Sequence, residues 1–240
     1  MLVTRPEPDA SDTAGRLDAL GIGALKAPML TQQVLTTSLP DAEGFGAMAI
    51  TSANALRALQ ARGVLEAYLD LPVYAVGQRT AGLAREMGFA RVESAGGTVT
   101  KLVELLGTAP IDGPILYASG REVTSDLGRA LAPTGRMVIT AEVYAMVAAS
   151  ELPEAVASAI ASGRVAAALF YSTRSAAVFA QLTAGLPRQL KARLGVICLS
   201  EAVALPLVDA HFVRVALADY PSEEAMMGLA LSFARDENAP

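Results

Sequence analysis

Six short segments carry hydroxyl or small residues, several beside an arginine, just ahead of a helical pattern. They are Thr4-Arg5-Pro6, Thr51-Ser52-Ala53-Asn54, Gly77-Gln78-Arg79-Thr80, Ser119-Gly120-Arg121, Ser172-Thr173-Arg174-Ser175 and Ser200. The first turn of a helix leaves backbone N–H groups unpaired, and the helix dipole places partial positive charge there. Such ends attract carboxylates and phosphates, so six together point to a multiply charged anion. For any single loop, plain N-capping is the simpler explanation, because Ser, Thr and Asn cap helices everywhere.

Other chemistry is poorly supplied. The chain has one Cys and one His, which excludes a disulfide framework and leaves no material for a zinc cluster or a Cys-His nucleophile. His211 lies in the apolar run Ala210-His211-Phe212-Val213 and reads as a partly buried strand residue. Cys198 sits in an apolar strand, Gly195–Leu199, and reads as a small core residue. Gly21-Ile22-Gly23 follows a helix and lacks the third glycine of a dinucleotide fingerprint; no Walker A motif or G-x-S-x-G elbow occurs. The eight methionines are scattered and read as core filler.

The elements that must position these loops are legible as short apolar runs alternating with amphipathic segments. Strands are expected at Met1–Thr4, Ala47–Thr51, Val73–Val76, Pro114–Tyr117, Ala167–Tyr171 and Val196–Leu199. Helical patterns follow at Asp9–Leu20, Ala53–Arg62, Arg79–Met87, Thr124–Leu131, Ser175–Leu182 and Glu201–Val208. This alternation reads as βαβ units around parallel sheets, whose strand C-termini gather the loops where ligands bind.

The sequence also repeats itself. Ala49–Ala55 resembles Phe170–Ala176 at an offset of 121 residues (Thr51 to Ser172), and the strands around Val76 and Ile197 keep that offset. Gly97-Thr98 and Pro221-Ser222 each open a further helical segment. The fourth unit of the first half, with Leu116, Ser125-Asp126 and Leu131, matches Leu2, Ser11-Asp12 and Leu17 at the N-terminus. The repeat is therefore permuted. One α/β domain is expected to be continuous, about 36–142, and the other built from both termini, 1–31 with 149–240. The crossings fall near 32–35 and 143–148, in β-prone stretches able to pair as a two-stranded ladder hinge. A cleft between two such domains is a common place for a ligand.

Composition narrows the function further. The 240 residues carry a formal net charge of -5, with 52% hydrophobic and 18% charged residues. An acidic balance argues against a nonspecific nucleic-acid binder. No apolar stretch approaches the roughly 20 residues that span a bilayer, and Met1–Pro6 reads as a strand rather than a signal peptide. A cytoplasmic protein with neither nucleic-acid nor membrane partners is expected.

Leu2–Pro6, Ile50–Asn54, Val73–Gly77 with Thr80-Ala81, Ile115–Arg121, Glu142-Val143-Tyr144, Phe170–Ser172 and Pro221–Ala225 resemble, in order, the uroporphyrinogen-III synthase family. The resemblance covers nearly the whole chain and rests on order and spacing. It implies two α/β domains with parallel sheets flanked by helices, joined by a two-stranded β-ladder. It also implies the substrate hydroxymethylbilane, a linear tetrapyrrole with eight carboxylates. That molecule would lose its hydroxyl to give an azafulvene, form a spiro-pyrrolenine through the substituted carbon of ring D, and reclose as uroporphyrinogen III. No metal or organic cofactor is implied. The family suggests a monomer and leaves room for a transient contact with the preceding pathway enzyme.

By motif position, Thr51, Ser52, Thr80, Ser119, Gly120, Ser172 and Ser200 are the residues expected to contact substrate. Arg5 and Arg121 are either carboxylate partners or simply solvated. Tyr144, on the second crossing, matches the family's cleft tyrosine; it is either a proton donor to the departing hydroxyl, although a phenol is a weak acid, or a packing residue of the ladder. Cys198-Leu199-Ser200-Glu201-Ala202 departs from the family's Gly-x-x-Thr-Ala, and Glu201 would repel a carboxylate, so the first-half loops carry more weight than the Ser200 loop. The competing readings are a noncatalytic two-lobed binder of a small anion and a two-domain glycosyltransferase. The first would be expected to carry an export signal or a DNA-binding head, and the second a nucleotide-binding signature; neither feature is evident.

Overall fold

The computed structural model describes residues 1–122 and 126–237. From the N-terminus the elements are β1 (Leu2–Val3), α1 (Asp9–Ala19), β2 (Leu25–Lys26), β3 (Leu30–Val34), β4 (Ala47–Ile50), α2 (Ala53–Ala61), β5 (Val73–Ala75), α3 (Gln78–Glu86), β6 (Val92–Ser94) and α4 (Val99–Thr108). They continue with β7 (Ile115–Gly120), α5 (Leu127–Leu131), β8 (Val138–Ala148), α6 (Glu154–Ala161), β9 (Ala167–Phe170), α7 (Thr173–Leu182), α8 (Arg188–Arg193), β10 (Gly195–Cys198), α9 (Glu201–Asp209), β11 (Val215–Leu217) and α10 (Glu223–Glu237). The start of the helix expected at Thr124, and Ser125 of the repeat, lie outside the described residues.

The chain divides into two compact units, one formed by Met1–Thr31 with Val147–Pro240 and the other by Gln32–Met146. The first holds a sheet of order β11-β10-β9-β1-β2, and the second a sheet of order β3-β8-β7-β4-β5-β6. Read from β6, the second sheet runs β6-β5-β4-β7-β8, the same winding as the first, with β3 added at the edge. Strands β4, β9 and β10 are buried along their whole length. Helices cover both faces of a parallel sheet, so its central strands have no polar side to show. The core of the second unit is correspondingly double: Met48, Ile50 and Leu116 pack on one face, Ala47, Ile115 and Tyr117 on the other.

All six expected strands and their helices are present, with boundaries shifted by a few residues. Three further strands, β2, β6 and β11, gave no signal in the sequence because they are two or three residues long and none is fully buried. The second crossing is longer than expected. β8 begins at Val138, pairs in parallel with β7 as far as Tyr144, and then runs beside β3. The amides of Leu35 and Ala149 donate to the carbonyls of Val143 and Met29, so this second pairing is antiparallel.

His211 is not a strand residue. It follows the C-cap Ala210 of α9 with φ 69° and is exposed. Its N–H donates to Val208 O (2.9 Å) and that of Phe212 to Leu207 O (3.0 Å), the paired bonds that close a helix through a left-handed residue. The matching position after α1, α2, α3 and α6 is a glycine: Gly21, Gly63, Gly88 and Gly163. A side chain there costs about 1–2 kcal/mol. His211→Gly is therefore expected to stabilise the first unit by about 1 kcal/mol, read as a higher urea midpoint. An unchanged or lower midpoint would show that the imidazole makes a compensating contact.

Cys198 is fully buried, and exclusion of water pushes its thiol up to about 12. A raised pKa in the folded state means the thiol's contribution to stability is intact below the unfolded value, about 8.5, and is lost as pH rises toward the folded one. The stability difference between wild type and Cys198→Ala should thus shrink above pH 9 by about 1.4 kcal/mol per pH unit. Urea unfolding at pH 8 and 10 measures this. A pH-independent difference would mean the thiol ionises equally in both states.

Candidate functional site

In each sheet the winding reverses once, and in open α/β sheets ligands bind beside such a point, at the carboxyl ends of the strands. In the second unit the reversal lies between β4 and β7, which pair from Ala47↔Ile115 to Ile50↔Ala118. Thr51 and Ser52 leave β4 there, and Ser119 and Gly120 end β7 beside them. Four of the residues picked out from the sequence are thus brought to one place by topology.

Their hydroxyls have different employments. Ser52 caps α2, accepting from Asn54 N at 3.2 Å. Thr51 Oγ1 shares a hydrogen bond of 2.9 Å with Tyr117 Oη. Burial pushes the Tyr117 phenol upward, the bond to Thr51 opposes this, and neighbouring Tyr144 adds to it. Ser119 is 1% exposed, and its Oγ is buried without a hydrogen-bond partner among the described residues. Gly120 lies under Tyr144: a Cβ built on it would stand 2.7 Å from Tyr144 Cζ and 3.0 Å from Tyr144 Oη. Tyr144 itself is half-buried. Arg121 pairs with Glu142 at 3.1 Å on the exposed surface.

The start of α2 collects further groups missed in the sequence. Gln32 Nε2 donates to Asn54 O at 3.0 Å, and Arg57 Nη1 to Asn54 Oδ1 at 3.0 Å. In the sequence Asn54 reads only as part of a loop, and nothing in the spacing of Gln32 or Arg57 links them to it. Thr80 is buried in the first turn of α3, behind its N-cap Gly77.

The first unit reverses between β9 and β1. Ser172 caps α7 through Ser175 N (3.1 Å) and also donates to Ser175 Oγ (2.9 Å). It corresponds to the cap Ser52 rather than to Thr51, one residue out of the register read from the sequence. Ser200 is the N-cap of α9, but its side chain makes no capping bond. Its counterpart by position is Gly77, the N-cap of α3.

Arg5 is tied into a network within the first unit. Its guanidinium meets Asp9 Oδ2 at 2.7 Å and Glu223 Oε2 at 2.8 Å, and lies 4.2 Å from the centre of the Tyr171 ring. Tyr171 Oη donates to Glu223 Oε1 at 3.0 Å. Burial pushes the Tyr171 phenol far up, Glu223 reinforces the shift through its charge and hydrogen bond, and Arg5 works against it. Two carboxylates of the chain therefore meet the guanidinium that the sequence left as either a substrate partner or a solvated cation. Among the described residues, no cluster of three or more His, Cys, Asp or Glu side chains is arranged to hold a metal ion. No described helix is long and apolar enough to cross a membrane.

Fold and site together define a two-unit, doubly wound α/β protein with hydroxyl- and amide-rich loops at both reversal points. A family model described as uroporphyrinogen-III synthase HemD matches residues 11–228, and the chain belongs to that family of porphyrin-biosynthesis enzymes. It is similar to the solved uroporphyrinogen-III synthetase of Helicobacter pylori, with 22% identity, a TM-score of 0.66, and coverage of 88% of this chain and 92% of that one. It is also similar to a mutant uroporphyrinogen III synthase of the extremely thermophilic bacterium Thermus thermophilus, with 17% identity, a TM-score of 0.56, and 98% of each chain covered. No curated protein gives a significant sequence match.

Proposed function

We propose that this chain is a cofactor-independent lyase that cyclises hydroxymethylbilane to uroporphyrinogen III and water, inverting ring D through a spiro-pyrrolenine. The observation that carries this reading is the family match across residues 11–228. The reversal-point chemistry supports it. Hydroxymethylbilane closes without help to the uninverted isomer, so an enzyme must chiefly impose geometry. Amides at helix ends and the hydroxyls of Thr51, Ser52, Thr80, Ser119, Ser172 and Ser200 suit peripheral carboxylates without needing a strong acid or base. Arg121, exposed and paired with Glu142, follows Gly120 at the reversal point of the second unit.

Tyr144 is the proposed donor of the proton that leaves with the substrate hydroxyl as water. The azafulvene so formed is attacked by the substituted carbon of ring D; fragmentation and reclosure then give the product. A net charge of -5 opposes an anionic substrate at long range, so the attraction is local to these loops. A cytoplasmic monomer, transiently meeting the enzyme that supplies its unstable substrate, completes the proposal. The test is to supply hydroxymethylbilane, oxidise the products and separate the isomers. Isomer III in excess of isomer I is expected; isomer I alone would overturn the reading.

A further inference from the structure

Regular strands alternate their side chains between two faces, and β8 breaks this rule at one place. Ala141 and Val143 pack on the face of the second unit's sheet that carries Met48, Ile50 and Leu116, and so does Tyr144, the next residue after Val143. The pairing with β7 shows why. Ser119 stands opposite Glu142, but Gly120 stands opposite Tyr144, so β8 uses two steps where β7 uses one. Val143 is the extra residue of a bulge, and a bulge re-aims the side chain that follows it. In unbroken register Gly120 would face Val143, and Tyr144 would point to the opposite face, toward Ala47, Ile115 and Tyr117.

Gly120 completes the arrangement. Position 120 shares its sheet face with Leu116 and Ala118, the face onto which the bulge turns Tyr144. The ring occupies the volume that any other residue's Cβ would need: Cζ at 2.7 Å, Cε2 at 2.9 Å and Oη at 3.0 Å. Contacts under 3.0 Å require one partner to move, and the backbone of β7 is held on both sides by β4 and β8. The Arg121 N–H, one residue on, donates to Tyr144 O at 2.8 Å and fixes the backbone of the bulge.

We propose that Gly120 and the Val143 bulge are positioning elements that seat the Tyr144 phenol at the reversal point of the second unit's sheet. The inference rests on the reading of Tyr144 as proton donor. In it Gly120 acts through the ring, not by approaching substrate.

Two double-mutant cycles test it. In the kinetic cycle, Tyr144→Phe and Gly120→Ala each lower kcat for hydroxymethylbilane by about 10²-fold with KM near the wild-type value, and the double variant is no slower than Tyr144→Phe alone. In the stability cycle, Gly120→Ala lowers the melting temperature in the wild-type background but not in Tyr144→Ala, where the ring is gone. Unchanged turnover in Tyr144→Phe would remove the acid reading itself. Slow Tyr144→Phe with a full-speed Gly120→Ala, or a double variant slowed by the product of the two factors, would overturn the positioning role while leaving the acid reading in place. A Gly120→Ala chain that does not fold is read through the second cycle: folding restored by Tyr144→Ala supports the proposal, and its absence overturns it.

Discussion

Tyr144→Phe should slow the turnover of hydroxymethylbilane by about 10²-fold and leave the fold intact. Positioned proton transfer typically contributes a factor of about 10²–10⁴, and a phenol, a weak acid near neutral pH, belongs at the low end. A factor of 10² corresponds to about 2.7 kcal/mol of barrier. The ring remains in the variant, so the volume above Gly120 stays filled and packing on the face of Met48 and Ile50 is kept. KM should change little, because carboxylate recognition is assigned to the loops at Thr51, Ser52 and Ser119. Steady-state kinetics and a melting curve check both halves of the expectation. Wild-type turnover would return Tyr144 to a purely structural role in β8.

Arg5→Ala is expected to act in the opposite manner, costing stability and sparing KM. The side chains of Arg5, Asp9 and Glu223 are 16%, 20% and 23% exposed, so they are neither surface ions nor fully buried ones. Exposed pairs are worth at most about 1 kcal/mol, whereas breaking a buried pair costs about 3–5 kcal/mol. About 2 kcal/mol lies between these limits. Removing the guanidinium takes the shared cation from the Asp9 and Glu223 carboxylates and from the Tyr171 ring, which keeps its hydrogen bond to Glu223. Urea unfolding measures the loss. A many-fold rise in KM with unchanged stability would restore Arg5 to the substrate.

The central strands and the helices that follow them were legible because parallel strands buried on both faces are continuous apolar runs. Ala47–Ile50, Ala167–Phe170 and Gly195–Cys198 are of this kind. The edge strands Leu25–Lys26 and Val215–Leu217 were not, since exposure removes the pattern that burial imposes. The loops at Thr51-Ser52 and Ser119-Gly120 could be found because hydroxyl and small residues follow strands there. Their meeting at one reversal point follows from strand order, which no local pattern encodes. The contact of Arg5 with Glu223 was hidden for a related reason. Its partner Glu223 lies 218 positions away, and nothing near residue 5 announces it. His211 misled because an apolar flank suggested a strand, while the backbone needed a residue at φ 69° to end a helix. The bulge at Val143 was hidden for a simpler cause: one extra residue changes register without changing composition.

The proposed reaction is one steered by shape, in which Tyr144, as the proposed proton donor, would add speed rather than direction. Single-turnover product analysis, with enzyme in excess of hydroxymethylbilane, tests this most directly when wild type and Tyr144→Phe are compared. Isomer III is expected from both proteins, formed more slowly by the variant. Isomer I from the wild-type protein, appearing at the spontaneous rate, would contradict it.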